Sequence, residues 1–175
     1  MQFNLEEAVE TLSRTPETLK SLLRDLPDDR AMSKEGADGW SAFDVLGHLV
    51  HGEETDWIPR ARIILEHGES RAFDPFDRTA MFEKSKGKSL AELLEVFEFL
   101  RKKNLESLEQ MDLNRDKLKL RGSHPALGQV TLEQLLSAWV VHDLSHAAQI
   151  LRILCKQYDE EVGPWKAYLP ILTRN

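Results

Sequence analysis

Apolar residues recur at helical spacing in four long segments, and Gly and Pro collect between those segments rather than inside them. In the first, residues 5–26, the periodic set is Leu5, Ala8, Val9, Leu12, Leu19, Leu22, Leu23 and Leu26. Thr15-Pro16-Glu17 interrupts this set and predicts a kink or restart, because proline suits the first position of a helical turn. A polar loop over residues 27–39 follows. Ser41 is the predicted N-cap of a second helix that runs to about His67 and stops before Gly68, with a bend at Pro59. Residues 68–88 contain Gly68, Pro75 and Gly87 and hold no sustained period, a long connection of the kind that often has a job. Ser89-Leu90-Ala91-Glu92 reads as a capping box opening a third helix to about Met111, with a stripe of Leu90, Leu93, Leu94, Phe97, Leu100 and Leu108. After residues 112–130, Thr131-Leu132-Glu133-Gln134 caps a fourth helix to about Gln157. Gly163-Pro164-Trp165 and Tyr168-Leu169 predict a short closing helix. No internal repeat and no β-alternation stands out.

Helices of these lengths, each about 33–40 Å, pack most simply as an all-α four-helix bundle, with residues 1–175 as one domain. The connection between the second and third helices is long enough to span the bundle at about 3.3 Å per residue, which permits those two helices to run parallel. Composition agrees with a soluble globular chain: 41% of the 175 residues are hydrophobic and 30% charged. The net charge of −7 and the lack of a clustered basic stripe argue against nucleic acid as a partner. Arg101-Lys102-Lys103 reads as a solvated helix face. One cysteine, Cys155, allows neither an internal disulfide nor a thiolate-rich metal site, and its apolar setting reads as a buried, inert thiol. The first residues lack the basic and apolar regions of a leader, and no run of 18 apolar residues suits a membrane. The expectation is a cytoplasmic chain.

Chemistry is concentrated in the histidines, His48, His51, His67, His124, His142 and His146. His142 and His146 lie at i and i+4, about 40° apart on one helix face. Leu135, Ala138, Trp139, Gln149 and Ile153 share that face, and polar rings within an apolar stripe must be hydrogen-bonded or coordinate something. His48 lies on a helix-2 face with Ser41, Val45, Gly52, Thr55 and Pro59, and Gly52 leaves space beside its ring. Bundle metal sites are built from inward residues on facing helices, so three neutral imidazoles here could hold one divalent ion with positions left open. Spacing alone fits core histidines bonded to backbone carbonyls equally well. His51, about 60° round from His48, reads as an outer or structural residue that could still close the site. Glu53 and Glu54 point off that face and suit salt bridges, and Asp143 suits an orienting role rather than a ligand. Trp40, Trp57, Trp139 and Trp165 read as core or loop anchors, and His67 and His124 as helix-end and loop residues.

Trp40-Ser41 with Val45 and His48-Leu49 resembles the W-S-x-x-x-V-x-x-H-L segment of the DinB-like family, the DinB/YfiT-type metalloenzymes. His142, His146 and Gln149 resemble that family's second signature, H-x-x-x-H-x-x-Q, and the resemblance continues through Gly163–Leu169. It implies a four-helix bundle, often a homodimer, with His48, His142 and His146 as ligands for nickel, zinc or a similar ion. An open three-His ion could activate water or a thiol, for hydrolysis or transfer, and the resemblance implies a metal-dependent thiol S-transferase acting with a low-molecular-weight thiol. Phe73, Phe76 and Asp77 in the long connection would then line a pocket for a small-molecule substrate. The rival reading is a non-catalytic, stress-response bundle that binds metal or a small ligand. No general base is identifiable from the sequence.

Overall fold

One asparagine cap and three reciprocal capping boxes set where the four long helices begin. The computed structural model describes residues 2–36 and 39–173; Met1, two positions of the expected 27–39 loop and the last two residues lie outside the described residues. Helix α1, Leu5–Leu23, starts at Asn4, whose side-chain oxygen accepts from the amides of Glu6 and Glu7. A short α2, Asp28–Ala31, follows. The Ser41–Asp44 box opens α3, Ala42–Thr55, which continues after a break at Asp56 as α4, Trp57–His67. Next come α5, Ala80–Ser85, and α6, Leu90–Gln110, the latter opened by the Ser89–Glu92 box. A short α7, Arg115–Leu118, leads to strands β1, Arg121–His124, and β2, Gly128–Thr131. The Thr131–Gln134 box opens α8, Leu132–Lys156, and α9, Pro170–Thr173, closes the described chain after a 3-10 turn.

Two apolar clusters define how the helices run. One joins Leu19 and Leu23 of α1 to Leu46 of α3, Leu93 and Phe97 of α6, and Ile150 of α8. The other joins Leu12 of α1 to Ile64 of α4, Leu108 of α6, and Leu136 and Trp139 of α8. The beginnings of α3 and α6 therefore share one end of the bundle with the ends of α1 and α8. Helices α3–α4 and α6 run parallel, and α1 and α8 run antiparallel to both. The crossover that the long connection permits is the one found.

Several local expectations need correction. Pro16 does not break α1, which is continuous. Proline has no amide to offer the carbonyl of Leu12, and that oxygen accepts instead from Nη1 of Arg101 at 2.7 Å. The bend expected at Pro59 is a break three residues earlier, at Asp56. The 68–88 connection contains α5, held close to α3 because a Cβ at Gly47 would lie 2.5 Å from Oγ of Ser85. A β-hairpin is present where no strand stood out; its strands are four residues long and pair antiparallel, Arg121 with Thr131 through His124 with Gly128. Such short strands carry too little alternation to see.

The largest correction concerns Arg101. It is not on a solvated face but 1% exposed at the centre of the bundle. Its guanidinium forks onto Asp143 of α8 at 2.7 and 3.1 Å and reaches Oε1 of Glu53 on α3 at 2.8 Å. Asn104 and the indole N–H of Trp139 donate to the same Glu53 carboxylate at 3.0 Å each. With Leu12, the network ties together all four long helices. Removing one partner of such a buried pair strands its charges, so Arg101→Met is expected to cost about 3–5 kcal/mol in urea unfolding. A loss below about 1 kcal/mol, the range of exposed ion pairs, would show that the network is not holding the bundle.

Candidate metal centre

Helices α3 and α8 face one another across the bundle, so the imidazoles of His48 and of His142 and His146 point into the same space. Nε2 of His48 lies 3.0 Å from Nε2 of His142, and each of the three rings offers a nitrogen within 4.8 Å of the others. The ring centroids are 4.4–5.1 Å apart. His51 does not join them: its ring turns against Phe76, 4.9 Å between centroids, and its Nδ1 faces Nζ of Lys84 at 3.2 Å.

The donor set fits a divalent ion. Oε1 of Gln149, one turn beyond His146, accepts from Nδ1 of that ring at 2.8 Å, which leaves the lone pair on Nε2. This gives the glutamine of the H-x-x-x-H-x-x-Q pattern a physical task. Among the described residues, Nδ1 of His48 and Nδ1 of His142 are buried without a hydrogen-bond partner, so carbonyl-bonded core histidines do not describe these rings. Burial, followed by the neighbouring imidazoles, lowers His48 to about 4 and His142 to about 3. His146 is also lowered, chiefly by burial, against the opposing pull of Gln149 and Asp143. At neutral pH all three rings are therefore neutral, the form that binds metal.

Aromatic packing fixes the rings. Trp40 lies against His48 and His146, at 5.0 and 6.3 Å between centroids. Trp57 stacks on Trp139 at 5.7 Å and meets the ring of His142 at 5.0 Å. Trp165, by contrast, is 72% exposed and anchors no core. Glu53 and Asp143 point away from the rings onto Arg101, and Glu54 pairs with Lys84 on the outside. Ala138 is exposed rather than facing inward.

The three rings form one wall of a cavity of about 660 Å³. Phe76 lines it, as expected, but Phe73 is core and Asp77 turns outward to cap α5 through the amides of Thr79 and Ala80. Asp56, Arg60 and His124 line the cavity as well, and sequence reasoning missed them as a group. Gly52, Asp56 and Arg60 continue the His48 face at four-residue steps, a signal that was present. His124 arrives from the hairpin, and nothing in its local sequence announces that.

A sequence profile of the DinB superfamily matches residues 11–150. The chain belongs to the DinB superfamily. Its fold is similar to that of YfiT from Bacillus subtilis, described as a probable metal-dependent hydrolase with an unusual four-helix bundle topology. That match has a TM-score of 0.77 and 23% identity, covering 89% of this chain and 90% of the other. TT2238, a four-helix bundle protein, matches with a TM-score of 0.57 and 18% identity over 85% of this chain and 98% of its own. No curated protein matches the chain. Among the described residues, no helix of this DinB-superfamily protein is long and apolar enough to cross a membrane.

The lowered imidazoles fix the sign of a pH effect. Unfolded histidines titrate near 6.5, so between that pH and about 4 the unfolded chain binds more protons than the folded one. In the metal-free protein this contribution to stability is complete above about pH 6.5 and is lost as pH falls toward 4. Urea midpoints of wild type should drop between pH 7 and 5, and His142→Phe should flatten that slope. An equal slope in both proteins would contradict the buried, neutral state of the ring.

Proposed function

We propose that the protein is a metal-dependent enzyme in which Nε2 atoms of His48, His142 and His146 hold one divalent ion, nickel or zinc. The adjoining cavity takes the small-molecule substrate. What carries this reading is the ligand count: three imidazoles meet at the cavity wall, and no fourth His, Cys, Asp or Glu joins the group among the described residues. Structural zinc sites are normally closed by four protein ligands, whereas catalytic ones keep a position open. A bound ion supplies acidity, by which water or a low-molecular-weight thiol is deprotonated near neutral pH.

The chain's own part is to orient and to exclude. Gln149 sets the tautomer of His146, Trp40 and Trp57 hold the rings in place, and Phe76 narrows access from the α4–α5 connection. Hydrolysis and thiol S-transfer would rely on the same kind of activation and would differ in the nucleophile at the open position, water in one and a thiol in the other. Hydrolysis has the support of the description of YfiT, and thiol transfer that of the family resemblance. The lone cysteine and the charge balance support a cytoplasmic setting for either reaction.

The same reading includes a homodimer. Along α8 the exposed positions Ala138, Val141, Leu144, Ser145, Ala148 and Leu151 carry no charge, and Val141 and Leu144 are 61% and 54% exposed. An uncharged stripe of this kind suits a second copy of the chain. Sedimentation should give a dimer that Leu144→Asp converts to monomer; a monomeric wild type at high concentration would remove the dimer from the proposal.

Function is tested by stripping the protein with a chelator, reloading it with nickel or zinc, and assaying ester hydrolysis and thiol conjugation. Stripping should abolish activity and lower the melting temperature only modestly, since long amphipathic helices already supply the core. His48→Ala should lose the ion, and His51→Ala should keep it. Outright unfolding on stripping, or equal metal loss in both variants, would make the ion structural. A loaded protein inactive in both assays would favour the non-catalytic bundle.

A further inference from the structure

Farther along the cavity from the three histidines, hydrogen-bond donors collect without protein acceptors among the described residues. Arg60 lies on α4 with a side chain only 10% exposed, and Asp56 meets it at Nε, 2.6 Å away. Its guanidinium sits over the Phe73 ring, 5.3 Å from the centroid, which fixes the plane of the fork. Its terminal amino groups donate to no protein acceptor among the described residues, and Arg60 lines the cavity.

His124 completes the group. Its Nδ1 accepts from the backbone amides of Ala126 and Leu127 at 3.1 Å each, so the ring proton of the neutral imidazole is on Nε2. The edge of the ring packs on the same Phe73, with centroids 6.0 Å apart. Arg78 stands exposed at the rim. The chain as a whole carries a charge of −7, yet the charged side chains lining this cavity are two arginines and one aspartate. The local sign is the reverse of the global one.

We propose that Arg60 and His124 form an oxyanion subsite that holds a carboxylate or phosphate of the substrate, in the same cavity as the three histidines. A planar guanidinium with its outer edge free is matched to two oxygens of such a group, and the Nε2–H of His124 supplies a further donor. The aspartate at Nε orients the fork rather than filling it. A substrate held in this way presents its uncharged, reacting portion to the histidines. The inference deepens the reading of the cavity as a substrate site, but the subsite itself needs no ion.

The test therefore uses metal-free protein, with inorganic phosphate and succinate as separate probes. Calorimetry gives the affinity, and nitrogen-detected imidazole resonances locate the probe. One site should appear, the His124 resonances should shift, and the tighter probe identifies the kind of anion. Arg60→Gln should weaken binding by at least about tenfold, and His124→Phe by at least about threefold. Arg14→Gln, at an exposed arginine of α1 outside the cavity, should bind the probe as wild type does. If Arg60→Gln fails to fold, His124→Phe and the resonance shifts decide the matter. No binding by wild type, or binding kept at wild-type strength in both Arg60→Gln and His124→Phe, would overturn the subsite. Anion binding in a protein that takes up no metal would instead overturn the metal reading alone.

Discussion

One guanidinium sits at the centre of this bundle, and the rest of the structure is arranged around satisfying it. Arg101 faces two carboxylates and one main-chain carbonyl, and each comes from a different helix. Burial alone would lower its pKa, but Asp143 and Glu53 more than reverse this and hold it charged. Desolvating three charges is expensive, and an apolar core of equal volume would often be as stable. What the network supplies is register. Asp143 is about 100° round α8 from His142, and Glu53 about 140° round α3 from His48. Drawing the two carboxylates onto Arg101 therefore turns His48 and His142 toward the cavity.

The same network sets the electrostatic background of the candidate metal centre. Asn104 and Trp139 complete the bonding of the Glu53 carboxylate. The network's influence on the rings is mixed: the Arg101 charge helps to lower His142, while Asp143 opposes the lowering of His146. Pro16 belongs to this arrangement too. By withholding an amide from Leu12 it frees the carbonyl that Arg101 takes, so an apparent helix defect is a ligand for the central charge.

The parts of this structure that were legible in the sequence are those set by local chemistry. Ser41, Ser89 and Thr131 cap the helices that their side chains predict, because a cap depends on three or four neighbouring residues. The histidine spacing on α3 and α8 placed three rings on inward faces for the same reason. Arg101 was misread because Arg-Lys-Lys has the composition of a solvated face, and its partners lie at least 42 residues away in sequence. The hairpin was missed because four-residue strands show no period. His124 became part of the cavity only through that hairpin, and Gly122 must be glycine-sized there, since a Cβ would lie 2.7 Å from Ile64.

In the proposed function α3 and α8 hold one ion through three imidazoles and leave room for a reactant. X-ray absorption on protein loaded with one equivalent of zinc or nickel tests it most directly, because scattering counts the imidazoles at the metal. One ion per chain is expected, with three imidazole nitrogens at about 2.0–2.1 Å for zinc and light, exchangeable scatterers beside them. In His142→Ala that signature should disappear. A fourth imidazole at the metal, or a signature unchanged in His142→Ala, would contradict it.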